Sequence, residues 1–128
     1  MNLMFGNSIS MGTKSLEFLW AKQSVISNNL SNIDTPHYKS KYVTFEEAFK
    51  NRLKLARATQ DSGQTRSIID SANYTVLEKS DSSARLDGNN VNADSEEVEM
   101  VRTYLQYQSM LQAINSDFTR LRTVIKGQ

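Results

Sequence analysis

The chain contains no cysteine among its 128 residues, which excludes disulfide bonds, thiolate metal sites and a cysteine nucleophile. It has no glycine-rich phosphate loop, no GxSxG elbow and no HExxH helix. It also lacks an apolar run of about 18 residues, so direct membrane insertion is not expected. Residues 1–12 show no basic segment followed by an apolar run, and we therefore expect no cleaved signal peptide.

An excess of charge of either sign is also missing. The formal net charge is +1, which provides no basic excess to hold a phosphate backbone, so nucleic acid is not an expected partner. The only histidine, His37, stands beside the only proline without the carboxylate spacing of a metal or catalytic site. Acidic pairs such as Glu46 and Glu47 lie at predicted helix starts, where the helix dipole stabilises acids. We therefore predict no enzyme, with no catalytic, metal or cofactor-binding residues and no cofactor.

Apolar residues are too few for a deep core. They make up 38% of the chain, and the mean hydropathy is -0.53. Average globular chains hold about 45–50% apolar residues when glycine is included. The composition favours an elongated architecture, or one that is completed by a partner.

The N-terminal part of the chain has the period of an amphipathic helix. Apolar residues at steps of three and four predict a helix over residues 9–33, preceded by a flexible segment over residues 1–8. Gly12 and Gln23 interrupt this heptad stripe. Pro36 ends the helix, because proline lacks a backbone donor and disfavours helical geometry in the residue before it. The predicted packing residues are Ile9, Leu16, Leu19, Ile26, Leu30 and Ile33.

The C-terminal part of the chain has an unbroken stripe of the same kind. It predicts a helix over residues 94–126 with Asp94 as its N-cap, about 48 Å long at 1.5 Å per residue. This length is too great for a compact domain of this size. The predicted packing residues are Met100, Tyr104, Tyr107, Leu111, Ile114, Phe118, Leu121 and Ile125. The fold class is therefore mainly α, with two long terminal heptad helices in one domain.

Residues 34–93 form a polar middle region. Thr44 and Glu47 have the spacing of a capping box, which predicts a short helix over residues 45–58. Residues 59–67 read as a loop, and residues 74–77 have the composition of a strand. Asp87 and Gly88 favour a turn, so a small β-hairpin or a single extended arm fits this region.

One motif closes the first helix and carries a family resemblance. Its residues are Asn28, Asn29, Leu30, Asn32, Asp34, Thr35, Pro36, Tyr38 and Lys39. The motif resembles the one shared by bacterial flagellar axial proteins, the rod and hook proteins. The short length, the turn at residues 87–91 and the pattern of residues 107–125 are most similar to subunits of the proximal rod of the basal body. The family commonly has glycine where this chain has His37, a residue type that tolerates positive φ.

The resemblance implies an architecture and a function. The two terminal helices would pair antiparallel as a coiled coil and pack against other copies of the chain and other rod proteins in a helical tube. This tube would link the export gate and membrane rings to the distal rod and transmit torque. Subunits would leave the cytoplasm unfolded through the flagellar type III system, and partners would include the export gate and a rod-junction adaptor. Phe45 and Phe49 resemble the gate-recognition motif of early export substrates.

Three alternatives remain open at this stage. The chain could be another rod subunit of the same family, or a stand-alone helical secretion chaperone or adaptor, which would form a stable soluble dimer. A weaker alternative is an enzyme whose activity depends on His37 or Glu47. If the resemblance holds, we expect the isolated chain to be monomeric and poorly ordered at both ends. We also expect the asparagines of the motif to bond to backbone groups at a subunit contact.

Overall fold

The structure, a computed structural model, describes residues 2–45, 51, 54, 55, 58, 61–80 and 85–127. The chain is mainly α-helical, as the sequence predicts. The elements with bounds inside the described residues are helix α1 (Asn2–Ser31), strand β1 (Lys41–Phe45), helix α2 (Ser62–Asp70), strand β2 (Tyr74–Glu78) and helix α3 (Ala93–Ile125). At 1.5 Å per residue, the 33 residues of α3 extend about 50 Å.

The two long helices lie side by side in opposite directions. Near the start of α1, the Ser8 hydroxyl donates a hydrogen bond to the carboxylate of Asp117, close to the end of α3. Near the end of α1, Asn29 Nδ2 donates to Glu96 Oε2 at 3.1 Å, in the first turn of α3. Residue numbers therefore rise along α1 as they fall along α3. This confirms the antiparallel pairing that the resemblance implies.

A smaller layer packs on another side of α1. Ile68 and Ala72, in and just after α2, are buried, and Met11 and Phe45 pack against them. The Phe45 ring stacks on Phe18 of α1, with the ring centroids 4.4 Å apart. Aromatic stacking of this kind adds to the stabilisation from burial alone. The core is thus a thin layer along α1 rather than a central mass.

The sheet has two antiparallel strands. Val43 at the centre of β1 lies opposite Val76 at the centre of β2, which confirms the strand predicted for residues 74–77. However, the strand that pairs with β2 precedes α2 in the chain. The turn at Asp87 and Gly88 is present, but it leads towards α3 and does not join the two strands.

Two predictions for the middle region are wrong. Thr44 and Phe45 belong to β1, so Thr44 does not cap a helix. Residues 51, 54, 55 and 58 are helical, and the other residues of the predicted 45–58 helix lie outside the described part of the chain. The predicted loop over residues 59–67 overlaps α2, whose N-cap Asp61 accepts a hydrogen bond from Gln64 N at 3.0 Å. Pairing of β1 with β2 outweighs the capping signal of Thr44. α2 packs through Ile68 against Met11 of α1.

The ends of the long helices also differ from the prediction. α1 begins at Asn2 rather than at residue 9, so residues 2–8 are helical. The N-cap of α3 is Asn92, which accepts from Ser95 N at 3.1 Å, and not Asp94. Among the described residues, no helix combines the length and apolar character needed to cross a membrane.

Gly12 sets how closely the two helices approach each other. It is buried, and a Cβ at this position would lie 2.7 Å from Ile114 Cγ1 and 2.9 Å from Ile114 Cδ1. Contacts below 3.0 Å force a neighbouring group to move. The glycine that interrupts the sequence stripe is therefore the point at which α3 fits closest against α1.

We predict that Gly12→Ala lowers the free energy of unfolding by about 1–2 kcal/mol, because overpacking outweighs the higher helix propensity of alanine. Urea denaturation measures the loss. Ile114→Ala removes the clashing atoms, so the double variant should lose about 1 kcal/mol less than the sum of the two single losses. Additive losses would contradict the close approach.

Candidate functional site

The motif at the end of α1 forms a compact junction between the helices and the sheet. After Ser31 the chain turns, with Thr35 N donating to Asn32 O at 3.1 Å and Tyr38 N to Thr35 O at 3.3 Å. The helix thus ends before Pro36, as the sequence predicts. We call residues 28–41 and 85–91 the junction, because the two segments bind each other through the contacts described next.

His37 keeps a left-handed turn. Its φ is 60°, and it is the one non-glycine residue with positive φ among the described residues. His37 N donates to Asp87 O at 2.9 Å, which places the side chain against Gly88. Gly88 has a φ of 81°, and a Cβ there would lie 2.7 Å from His37 Nδ1. Glycine at position 88 therefore accommodates histidine at position 37.

Asn89, in the segment that leads into α3, binds the turn that follows α1. Its side chain is fully buried, and Nδ2 lies 2.8 Å from Asn32 O, 3.0 Å from Ile33 O and 2.9 Å from Thr35 O. These three carbonyls belong to the turn that follows α1. Asn89 Oδ1 in turn accepts from Val91 N at 2.8 Å. One side chain therefore holds the end of α1 to the segment that leads into α3.

Asn29 binds the backbone of β1 in a similar way. It is fully buried, donates to Lys41 O at 2.8 Å and accepts from Lys41 N at 2.9 Å. Its carboxamide thus pairs with one residue of β1 much as a neighbouring peptide group would. The Tyr38 hydroxyl, 3.1 Å from Asn29 Oδ1 and 2.8 Å from Asn28 Oδ1, completes the cluster.

Asn90 and Lys39 connect the remaining parts of the junction. Asn90 Oδ1 accepts from Ser40 N at 2.6 Å, and Asn90 Nδ2 donates to Lys79 O at 3.1 Å, just after β2. Lys39 Nζ donates to Gly88 O at 2.6 Å. Asn29 is fully buried and makes its hydrogen bonds within one chain, so it is not available to a subunit contact. Whether Asn28 and Asn32 bond at a subunit contact stays a prediction.

Charged groups at the junction are paired across elements. Glu96 of α3 is buried, and its Oε1 lies 3.6 Å from Lys79 Nζ. Lys22 Nζ donates to Glu99 Oε2 at 2.9 Å, and this hydrogen bond lowers the pKa of the Glu99 carboxyl. Burial, followed by the negative charges of Glu78 and Glu96, raises the pKa of Tyr38, so its hydroxyl stays protonated.

The predicted packing residues divide into those covered within one chain and those left exposed. Leu19 and Ile26 are buried against the rest of the chain. Ile9, Leu16, Leu30, Ile33, Met100, Tyr107, Leu111, Ile114 and Leu121 are partly buried. Tyr104, Phe118 and Ile125 are exposed at 56%, 48% and 76%. Whether the exposed residues pack in an assembly stays a prediction.

The residues of α3 that face α1 differ in part from the predicted packing residues. Thr103 is 1% exposed, although its neighbour Tyr104 was the predicted seam residue. Met110 and Asp117 face α1 through their proximity to Gly12 and Ser8. The contact stripe of α3 is therefore rotated slightly from the predicted one. This rotation leaves aromatic residues of α3 on the surface.

The other predicted positions have no catalytic arrangement. The motif residues Asp34, Thr35 and Pro36 are exposed at the turn. Phe45 stacks on Phe18 in β1, and Phe49 lies outside the described residues, so the suggested export pair is not seen together. In the described part of the chain, no group of three or more acidic or histidine residues could hold a metal ion. The arrangement provides surfaces for packing.

Sequence reasoning missed three residues that matter most in the structure. The sequence predicts Asn89 and Asn90 only as turn residues, and Thr103 lies outside the predicted stripe. The sequence could have singled out the asparagines, because two adjacent carboxamide side chains follow the Asp87–Gly88 turn. No local signal identifies which backbone groups they bind.

Comparison with known proteins gives consistent results. The model of a family described as "Flagella basal body rod protein" matches residues 19–39. The chain is 32% identical over 125 residues to a flagellar basal body rod protein FlgB from Bacillus subtilis, covering 97% of each chain. It is 32% identical over 133 residues to the FlgB of Borreliella burgdorferi, covering 95% of this chain and 98% of the relative. The FlgB of Aeromonas hydrophila is 25% identical over 131 residues, covering 100% and 99%.

We predict that Asn89→Ala lowers the free energy of unfolding by about 3 kcal/mol, because the fully buried carboxamide loses its hydrogen bonds to the turn after α1 and to Val91 N. Thermal or urea denaturation measures the change. Asn115→Ala, at an exposed position of α3, is the matched control and should change stability by less than about 0.5 kcal/mol. Equal losses for the two variants would show that Asn89 is not an essential cap.

Proposed function

Because the chain belongs to the family of flagellar basal body rod proteins, and is therefore a structural subunit of the rod and not an enzyme, we propose that it builds the proximal rod by packing the exposed faces of its two long helices against neighbouring subunits. It assembles with other flagellar rod proteins at the basal body. The observation that carries the mode of packing is the apolar surface that one chain leaves uncovered.

Large apolar side chains are exposed on both long helices. Trp20 of α1 is 69% exposed, and Val101 and Leu105 of α3 are each 60% exposed. Large exposed apolar patches are typical of interaction sites. The exposed aromatic residues Tyr104 and Phe118 lie on the same helix, and aromatic residues are enriched at protein interfaces.

The distribution of charge supports the same conclusion. Within α1, only Lys14, Glu17 and Lys22 are charged. Residues 103–116 of α3 carry no charge on any face. A helix surrounded by water ordinarily has charged residues on its outer side, whereas uncharged helices are covered on several sides. A tube in which each helix touches neighbours on more than one side fits this pattern.

Export and the first contacts of the subunit are part of the proposal. We infer from family membership that the chain is exported unfolded by the flagellar type III system, and that its partners include the export gate and a rod-junction adaptor. Phe45 and Phe49 would be recognised by the gate. Since Phe45 is stacked on Phe18 in the folded chain, this recognition would act on the unfolded chain.

The test is a substitution at Phe118, which is half exposed in the single chain. Phe118→Glu should leave the helical content of the purified protein unchanged but abolish motility, because a charge cannot be buried unpaired in an apolar interface. Immunoblots of purified basal bodies should no longer detect the chain.

The matched control is Phe118→Leu, which keeps an apolar side chain and should preserve assembly and motility. Normal basal bodies with Phe118→Glu would contradict packing through this helix face. Absence of the wild-type chain from basal bodies would contradict the function itself.

A further inference from the structure

An open groove lies between the two long helices, near their middle. It has a volume of about 180 Å³ and is lined by residues from α1 and α3. We call it the Thr103 slot; its lining residues are Leu19, Trp20, Gln23, Thr103, Tyr104, Tyr107 and Gln108. Trp20 and Tyr104 are exposed at 69% and 56%, whereas Leu19 and Thr103 are buried. The slot therefore has exposed aromatic sides and a covered floor.

The Thr103 hydroxyl in this slot has no hydrogen-bond partner, although the residue is only 1% exposed. Other threonines of the long helices behave differently. Thr13 and Thr119 each donate to the carbonyl four residues earlier, at 2.9 Å. A buried hydroxyl without a partner costs free energy, and each such group in a folded protein calls for an explanation.

A second polar atom of the slot is also buried without a hydrogen-bond partner. Gln23 Oε1 of α1 is buried and has no partner in the described structure. The slot thus presents an acceptor from Gln23 and a hydroxyl from Thr103 that can donate or accept. A carboxamide can satisfy both atoms at once, because it has NH₂ donors and a carbonyl acceptor.

The occupant must also be uncharged. No lining residue of the slot carries a charge, so a buried charged group would remain unpaired there. The aromatic sides favour an apolar ridge around the carboxamide. The slot therefore selects a helix face that is apolar and carries an amide side chain.

The chain itself exposes such a face on α3. Val98, Val101 and Leu105 follow one another at steps of three and four and are exposed at 59%, 60% and 60%. They lie on the side of α3 opposite Glu96 and Thr103, which are buried. The exposed carboxamide of Gln106 borders the same surface. We call these four residues the back stripe.

We propose that the Thr103 slot of one subunit receives the back stripe of a second copy of this chain, whose Gln106 carboxamide hydrogen-bonds to Thr103 and Gln23. The proposal rests on the function proposed above and identifies one subunit contact. The charged residues that border the back stripe, Glu97 and Arg102, stay at the rim of this contact.

The direction of this contact matters for assembly. The slot and the back stripe are different surfaces of one chain, so the contact is heterologous. A heterologous contact generates an open helical array, with a free slot at one end and a free stripe at the other, unless a rotation closes it into a ring. A rod needs a contact of this kind, whereas a self-complementary contact would stop at a dimer.

Cysteine cross-linking in cells tests the contact cleanly, because the chain has no cysteine of its own. Ser24→Cys places a thiol next to Gln23, beside the slot, and Ser109→Cys places one on the surface of the back stripe. Both serines are exposed. The two single variants are co-expressed in cells without the wild-type gene and treated with copper phenanthroline. We expect a band of twice the subunit mass that is absent when either variant is expressed alone.

Thr103→Val in both copies then removes only the unpartnered hydroxyl. The cross-linked band should fall about tenfold, in line with the loss of a buried hydrogen bond. The melting temperature of the purified chain should stay the same or rise, because the hydroxyl has no partner inside the chain. Thr119→Val is the matched control, since that hydroxyl bonds within its own helix, and it should leave the band unchanged.

Other outcomes would overturn the inference. A cross-link to a protein of different mass would mean that another rod protein occupies the slot. No cross-link in cells whose basal bodies contain the chain would mean that the slot is not this interface. A lower melting temperature for Thr103→Val would mean that the hydroxyl has a partner within the chain. Absence of the chain from basal bodies would overturn the proposed function, and this inference with it.

Discussion

The buried carboxamide of Asn89 is the interaction on which the rest of the structure depends. It binds three carbonyls at the end of α1 and, through its oxygen, the backbone that leads into α3. Asn29 binds the first residue of β1 in a similar way. Because buried polar groups are costly when unpaired, loss of either side chain would leave this cluster with unpaired groups. The junction therefore fixes where both long helices start and stop relative to each other.

That fixed register decides which faces of the helices are covered. Gly12 admits Ile114 at the closest point, and Thr103 faces the inside of the pair. Tyr104 and Phe118 are consequently left on the surface, although their apolar character would suit a core. In a rod subunit this is useful, because a residue withheld from the chain's own core is available to a neighbour. On the proposed mode of packing, the same helix rotation sets both the stability of the single chain and its capacity for assembly.

The sequence predicted the parts of this structure that local patterns determine. Two long helices follow from heptad spacing, and the end of α1 follows from Pro36. The rotation of α3 was not predictable, since the helix has apolar residues on several sides and more than one stripe fits. The partners of Asn89 lie 54 to 57 residues away, so no local pattern reveals them. Thr44 carries a helix-capping signal, but pairing of its strand with residues 74–78 overrides it.

Amide hydrogen exchange on the isolated, unassembled chain tests the central claim most directly. The amides of Lys41 and Val91 are held by the side-chain oxygens of Asn29 and Asn89. If the junction is the point from which the fold is held, these two amides exchange more slowly than those at the start of α1 and the end of α3, which lie at the opposite end of the molecule. Exchange of the Lys41 and Val91 amides at the rate of an unfolded peptide, while both helices stay protected, would contradict this account.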